Sequence, residues 1–413
     1  MRLVPVAALL ALALGATACS SSPATRAPAR RTTTTTTSAS TSTSRPAAPT
    51  TTSAPRPQLP AGGPVPSGFE PGSVTFVSAT TGFVLGVDAT CPAGSCVALV
   101  RTGDTGASWV ALPTPPAAYE NHFGTGAVKP AVSEVRFADA LDGWIYGPSL
   151  FATHDGGANW QQLDLGGPVV ALETSGGFVD ALVSPCPGQQ VCSGSLRLEQ
   201  APVTGGAFTT VLTGPTVQTS GGGLPALSLH APAGFVNLSG VTGIMPAILY
   251  ATRHLAGPGG WNAFPDPCAV STGYSLDAFV APDVVSLYSL CGGQGGAGSI
   301  PKDVVRTENG RSTVVGQPPP GGDPEALAAT SSGTLVVSAA SGASELYRSG
   351  DGGATWSTAA TFGDGGIGFN DLGFTTSTQG VVVHGVPGPP VGFTSQLLMT
   401  RDTGATWQVV LIG

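Results

Sequence analysis

The sequence predicts an all-β chain whose folded part is a seven-bladed β-propeller of four-stranded antiparallel blades. Three observations carry this. Four short segments repeat nearly the same turn: RTGDTGASW (Arg101 to Trp109), THDGGANW (Thr153 to Trp160), RSGDGGATW (Arg348 to Trp356) and TRDTGATW (Thr400 to Trp407). A second element precedes three of them, in VTFVSATTGFVLG, VRFADALDGWIYG and LGFTTSTQGVVVHG: an apolar strand, a polar turn ending in Gly, then another apolar strand. Elsewhere no long stretch carries apolar residues at a helical period, and short runs such as CVALVRT and SWVAL are broken by Gly, Asp, Thr and Pro. A repeat of this kind sets the architecture before any single residue does.

The shared core of the turn is Asp-x-Gly-x-(Ser/Thr/Asn)-Trp, with Asp104 and Trp109, Asp155 and Trp160, Asp351 and Trp356, and Asp402 and Trp407. The Asp carboxylate accepts backbone N–H bonds from one to three residues on. The Gly two residues after it allows a positive φ. Ser, Thr or Asn adds a local hydrogen bond, and the Trp opens the next strand with a large apolar surface. A calcium loop alternates Asp and Gly in a similar way. Each copy here has one carboxylate, however, whereas calcium takes several oxygens from one loop.

The two elements together supply four strands per blade, with the Asp turn between the third and fourth. Asp104 to Asp155 and Asp351 to Asp402 are each about fifty residues apart, one blade length. The interval from Asp155 to Asp351 fits four. Degenerate copies lie within it: SLRLEQAPVTGGAFTTV with Phe208 at the Trp position, AILYATRHLAGPGGWNAF with Trp261, and VVRTENGRSTVV with no aromatic. The count is seven, with six or eight as the alternatives. In this topology one face carries the loops after the second and fourth strands, and the Asp turns lie on the opposite face.

The repeated turn is the Asp-box, and the chain resembles the BNR/Asp-box propellers. It is most similar to photosystem II assembly/stability factor-like repeats, in which a strand ending in Gly-Trp precedes a T-x-DGG-x-x-W turn. VRFADALDGWIYG followed by ATHDGGANW matches that pattern. Sialidases, xyloglucanases and sortilin-type receptors share the fold. The resemblance implies a propeller and a scaffold-like role. Sialidase chemistry needs three arginines, the first in an Arg-Ile-Pro type motif, and none is present. Arg101, Arg348 and Arg401 precede Asp-boxes and are expected to partner turns or face solvent. Another glycosidase would need two facing carboxylates; Glu120, Asp180, Asp277 and Asp371 are available, and spacing alone does not pair them. Asp142 lies in the turn between first and second strands and is expected to shape it.

The chain has 413 residues and a net charge of −8. Residues 1–18 read as a signal peptide: Arg2, the apolar run Leu3 to Leu14, then Gly15-Ala16-Thr17-Ala18. Cys19 follows and resembles the bacterial lipobox cysteine, with Ala16 where Leu is more usual; cleavage before it and lipid attachment to its sulfur are implied. A plain secretory signal is the alternative. Residues 19–72 read as a disordered Thr/Ser/Pro-rich tether, and 73–413 as the propeller. The implied location is the outer side of the cytoplasmic membrane. Six further cysteines suit an oxidising compartment, and the simplest pairing is Cys91–Cys96, Cys186–Cys192 and Cys268–Cys291. All six fall on the face opposite the Asp-boxes. No His stands beside a cysteine pair at zinc spacing.

His122, His154, His230, His254 and His384 are scattered and read as surface or turn residues. The Gly-rich stretch after Cys291 lacks the Lys-Ser/Thr of a phosphate loop. No cofactor or metal is expected. Two lysines, Lys129 and Lys302, and an acidic balance disfavour nucleic acid. The expected binding surface is the cysteine face, where Tyr119, Glu120, His122 and Phe123 form a mixed aromatic and polar group suited to a protein or glycan ligand. Plugging of the central channel is the alternative role for these residues. The leading expectation is non-catalytic binding or assembly on a membrane-anchored propeller, with an extracellular glycoside hydrolase as the rival.

Overall fold

A computed structural model describes residues 58–91, 96–120, 130–185, 193–218, 226–230, 233–242, 245–254, 257–273, 275–296, 298–388 and 394–413. The signal peptide, Cys19 and most of the tether lie outside these residues, as do Cys186 and Cys192. The described chain forms seven four-stranded antiparallel blades whose first strands are Phe69–Phe76, Glu134–Phe137, Val169–Ser175, Ala226–His230, Ser275–Val280, Asp323–Ala329 and Phe369–Phe374. These first strands are the inner ones. Each packs against the first strand of the next blade, and the first and seventh meet to close the ring. One bridge, Gln218 to Val241, joins the sheets of blades 3 and 4.

Alternation along the strands produces one apolar cluster at every blade-to-blade interface. In the second strand of blade 1, Phe83 and Leu85 face blade 2, while Val84 faces blade 7. Trp144, Tyr146 and Leu150 meet Leu172 and Val179 between blades 2 and 3. The same pattern continues between blades 3 and 4, 4 and 5, 5 and 6, and 6 and 7. A strand with two buried faces between neighbours is the reason these segments read as short apolar runs.

The Asp-boxes are built to hold their tryptophans against the preceding blade. Asp351 Oδ1 accepts from Thr355 N at 2.9 Å and Oδ2 from Thr355 Oγ at 2.6 Å. Asp104, Asp155 and Asp402 bind Ser108, Asn159 and Thr406 in the same way. The main backbone donor is four residues on, and the N–H three residues on adds a weaker contact in three copies, because two consecutive left-handed residues wrap the chain around the carboxylate. Their φ values are 74° and 102° at Gly352 and Gly353, and 61° and 78° at Thr403 and Gly404. A hydroxyl two residues before the Asp completes the turn: Thr102, Thr153, Ser349 and Thr400 each donate to the Asp and accept the Gly N–H two residues after it. Trp109, Trp160, Trp356 and Trp407 then pack into the clusters shared with blades 7, 1, 5 and 6 respectively. Phe208 and Trp261 do so in the degenerate blades 3 and 4.

Two of the arginines before the boxes, Arg348 and Arg401, are turn partners, as expected, whereas Arg101 donates to Pro60 O. Arg348 Nε and Nη2 donate to Thr403 O at 2.7 Å and Thr403 Oγ at 2.8 Å, tying the box of blade 6 to that of blade 7. Arg401 donates to Thr105 O, tying blade 7 to blade 1.

The first strand starts at Phe69, and the folded body starts earlier than the composition suggests. Gly63 exchanges both backbone hydrogen bonds with Ala111 on the outer strand of blade 1. Pro60 O accepts from Arg101, Leu59 and Pro60 lie against Gly156 in the Asp-box of blade 2, and Val65 joins the cluster between blades 7 and 1. This Pro/Gly stretch reads as linker but is a strap across the outside of blade 1.

Removing the Asp351 carboxylate tests the turn. The hydroxyl and N–H donors of Thr355 and Ser349 hold Asp351 at about 2, well below the ordinary carboxylate value. The stability it contributes is therefore complete above the ordinary value near 4 and is lost as pH falls toward about 2. Asp351→Ala lowers the thermal midpoint by a few degrees at pH 6, and the gap to the native chain narrows as melts are taken at increasingly acid pH. Arg348→Ala lowers stability by about 2 kcal/mol in urea unfolding, for loss of two charge-assisted bonds. Arg348→Lys restores part of it, because an ammonium lacks the fork.

Candidate functional site

Side chains reach the central channel from the inner strands, and five of those strands carry a register slip at a similar level near the cysteine face. The slips fall at Gly72, Val170, Asp277, Glu325 and the Asp371–Leu372 pair. A bulge puts an extra residue into one strand and re-aims its side chain. In blades 5, 6 and 7 the slipped residue is a carboxylate: Asp277, Glu325 and Asp371. The cysteine face is confirmed by two disulfides, Cys91–Cys96 and Cys268–Cys291, with Cα separations of 6.1 and 5.7 Å. The Cys186–Cys192 pair lies outside the described residues.

Asp371 is the centre of a network across the channel. Its backbone is left-handed, φ 54°, which a non-glycine residue adopts at some cost. The compensation is on its side chain. Oδ2 accepts from Ser73 Oγ at 2.5 Å and Val74 N at 2.8 Å on blade 1. Oδ1 accepts from Arg136 Nη2 of blade 2 at 2.8 Å. Arg136 also meets Glu173 of blade 3 at 3.1 Å, and Ser73 Oγ lies 3.0 Å from Glu134 Oε2. One guanidinium therefore serves two carboxylates from blades on either side of it. Burial opposes the charge on Asp371, but Arg136, Ser73 and Val74 hold its carboxyl below the ordinary value. Glu173, more dominated by burial, is pushed up despite Arg136.

A second group lies on blades 5 to 7. Burial pushes Glu325 up to about 7, with Asp364 and Asp323 adding to the rise; Phe369 N donates to Oε2 at 3.1 Å. Burial also raises Asp277. His384 Nε2 meets Asp364 Oδ2 at 2.5 Å, buried beside Phe362 and Phe369. This corrects the reading of His384 as a surface or turn residue: the end of the strand Gly380–His384 is covered by the neighbouring blade. Lys302 is enclosed, donating to Ile300 O, Pro319 O and Gly321 O at 3.1, 3.2 and 2.8 Å, and burial lowers it to about 8.

The expected binding residues divide. Tyr119 lies in a two-residue strand, Ala118–Tyr119, paired in parallel with Ala131–Val132. Its ring is half-buried between blades 1 and 2, and its hydroxyl stands over Gly72, where any Cβ would collide with it. Burial, with Glu134 and Asp371 nearby, pushes its hydroxyl well above the ordinary tyrosine range. Tyr119 thus closes one side of the channel mouth. Glu120 N donates to Val132 O at 2.9 Å in the same loop. His122 and Phe123 lie outside the described residues.

Of the four carboxylates singled out by type, Asp277 and Asp371 line the channel. Asp180 does not: it is buried in the second strand of blade 3, bonded to Gln200 and 3.6 Å from Arg253 of blade 4. Asp142 sits in its turn and binds His154 at 2.6 Å. Glu134, Arg136, Glu173 and Glu325 were not legible as site residues. Their signal is positional: aligning the inner strands on the turn that follows them places Arg136 and Glu173 level with each other, and Asp277 level with Glu325.

The opposite shifts of Glu325 and Asp371 have a measurable consequence. Because the carboxyl of Glu325 is raised on folding, its contribution to stability is present below the ordinary carboxylate value and is lost as pH rises through about 7. Glu325→Gln removes that component, so its thermal midpoint declines less than that of the native chain between pH 5 and about 8. Identical pH profiles would contradict the assignment.

Solved structures share this architecture. YCF48 bound to D1 peptide aligns with a TM-score of 0.50 at 18% identity, covering 82% of this chain and 95% of that chain. YCF48 from Cyanidioschyzon merolae aligns with a TM-score of 0.51 at 16% identity, over 82% and 97%. The GH74 xyloglucanase from Xanthomonas campestris aligns more loosely, with a TM-score of 0.31 at 12% identity, over 83% and 73%. No protein-family profile matches the chain, and no curated protein matches it in sequence. At these identities the likeness is one of fold: the chain shares the seven-bladed propeller with the YCF48 structures.

Proposed function

We propose that this protein is a non-catalytic binding scaffold, exported and held by a lipid on Cys19 at the outer side of the cytoplasmic membrane, that receives a cationic segment of a partner protein at the cysteine-face mouth of its channel. The observation that carries this reading is the placement of Asp277, Glu325 and Asp371 on the slips of three consecutive inner strands. Arg136 ties Asp371 to Glu173, so Asp277 and Glu325 are the carboxylates offered to a ligand. A carboxylate-lined concavity favours lysine or arginine side chains and repels acidic ones. YCF48 has been solved with a D1 peptide bound, which supports a peptide as a ligand that a propeller of this fold accepts. The anchor rests on the lipobox-like sequence before Cys19 and the Thr/Ser/Pro-rich segment after it.

A second reading, an extracellular glycoside hydrolase, is favoured by one observation. Glu325 is raised and Asp371 lowered, the division of labour between an acid and an ionised carboxylate.

Fluorescence anisotropy with lysine-rich, neutral and glutamate-rich peptides separates the readings. The lysine-rich peptide binds most tightly, Asp277→Asn and Glu325→Gln each weaken it by about fivefold, and affinity falls as pH drops through about 7. Equal binding of the glutamate-rich peptide would sink the cationic-segment reading. Turnover of aryl glycosides that is lost in Glu325→Gln would put the hydrolase in its place.

A further inference from the structure

Asp277 is held differently from Glu325 and Asp371. It is the extra residue in the slip between Leu276 and Ala278, and it keeps solvent access. Its carboxylate accepts from the Ser275 hydroxyl and from Gly292 N, at the end of the second strand of blade 5. Ser275 and Gly292 stand opposite each other, and the same hydroxyl is 3.2 Å from Gly292 O. Asp277 Oδ2 lies over Gly292. A Cβ at that position would come within 2.2 Å of it and within 3.0 Å of Ser275 Oγ. Gly292 is not among the left-handed glycines, so the backbone does not require a glycine there. What the missing side chain provides is room for the carboxylate.

A disulfide closes this seat. Cys291, the residue before Gly292, is joined to Cys268 in the 3-10 turn Pro267–Val270 that leads into the inner strand of blade 5. Cys268 and Cys291 are 2% and 0% exposed, packed with Leu276 and Val305. Leu276, next to Asp277, pairs with Cys291. Thr272 N and Oγ donate to Asp303 Oδ2 at 2.8 and 2.9 Å, which fixes the rest of the lead-in. The disulfide therefore ties the chain before Asp277 to the residue beside its seat.

We infer that Gly292, Ser275 and the Cys268–Cys291 disulfide are the positioning device of Asp277, and that oxidation of the two thiols completes the mouth for a cationic ligand. In that oxidation the Cys268 and Cys291 thiols join as one S–S bond, and a disulfide-donating oxidant takes up their two electrons and two protons and leaves as a dithiol. Both sulfurs are closed to solutes in the folded ring, so the bond is set while blade 5 folds and then stays closed. A carboxylate already fixed by two donors loses less side-chain freedom on binding than a free one, and more of its attraction appears as affinity. The inference rests on the cationic-segment reading proposed above.

Gly292→Ala is the sharpest test, because the new Cβ meets only the side chains of Asp277 and Ser275 and displaces the carboxylate while the disulfide stays. Anisotropy with the lysine-rich peptide is read as a double-mutant cycle. In the native chain Asp277→Asn and Glu325→Gln each weaken binding by about fivefold. Gly292→Ala and the double variant Cys268→Ala/Cys291→Ala each lower affinity by about that factor; on either background Asp277→Asn adds under about twofold, while Glu325→Gln keeps its effect. A merely structural role would change the two carboxylate effects together. An undiminished Asp277→Asn effect on both backgrounds, or unchanged or higher affinity in Gly292→Ala, would overturn the inference. Should the disulfide-free chain not fold, Gly292→Ala and Ser275→Ala decide between the same outcomes. Native chain with no preference for the lysine-rich over the glutamate-rich peptide defeats the cationic-segment reading and this inference with it, whereas preference without coupling defeats the inference alone.

Discussion

Ring closure between blades 7 and 1 is the constraint on which the remaining structure depends. Among the described residues no strand is exchanged across this seam: the strands from Phe69 to Leu112 make blade 1 and those from Phe369 to Val410 make blade 7. Closure is left to side chains. Val74, Val84 and Val100 pack on Val381, Val383, Leu397 and Met399. Asp371 reaches across to Ser73 and Val74, Glu70 accepts from Gly388 N, and Arg401 holds the Asp-box of blade 1. A blade has two apolar faces, and a terminal blade in an open ring would leave one of them in water.

The same seam links stability to the channel. The carboxylate that joins blade 7 to blade 1 is also the one that Arg136 holds from blade 2. Its left-handed backbone and its charge are both sustained by partners on other blades, which fits a position where strain is kept because its surroundings over-determine it. The channel mouth is consequently asymmetric. Arg136 neutralises Asp371 of blade 7 and meets Glu173 of blade 3, while on blades 5 and 6 burial and nearby carboxylates raise Asp277 and Glu325.

How much was legible follows from what repeats. The Asp-x-Gly-x-x-Trp turn recurs because every copy solves the same local problem, and its hydrogen bonds close within a few residues. The blade count, the degenerate Phe208 and Trp261 copies and the common face of the cysteines all follow from that spacing. The hydroxyl two residues before each Asp is equally visible, as the Thr of the T-x-DGG pattern or its Ser counterpart, and its bonds to the turn come from the structure. The site was much less legible. Arg136 stands in a stretch that reads as an ordinary strand, and Glu325 follows a Pro/Gly run that reads as loop. The strap at Leu59 to Val65 has the composition of a linker, and only its pairing to Ala111 makes it part of the fold.

The sequence by itself determined the all-β class, the core of the turn chemistry and the facing of the turns, and it pointed to seven blades, because these depend on residues near one another along the chain; the structure settled the count. Only the tertiary structure decided which charged groups meet. Asp371 and Ser73 are 298 positions apart, and Arg136 and Asp371 are 235 apart. Their contact exists because the ring closes and the inner strands of blades 1, 3 and 7 slip at a similar level, and the strengths of such contacts depend on burial that no local pattern records.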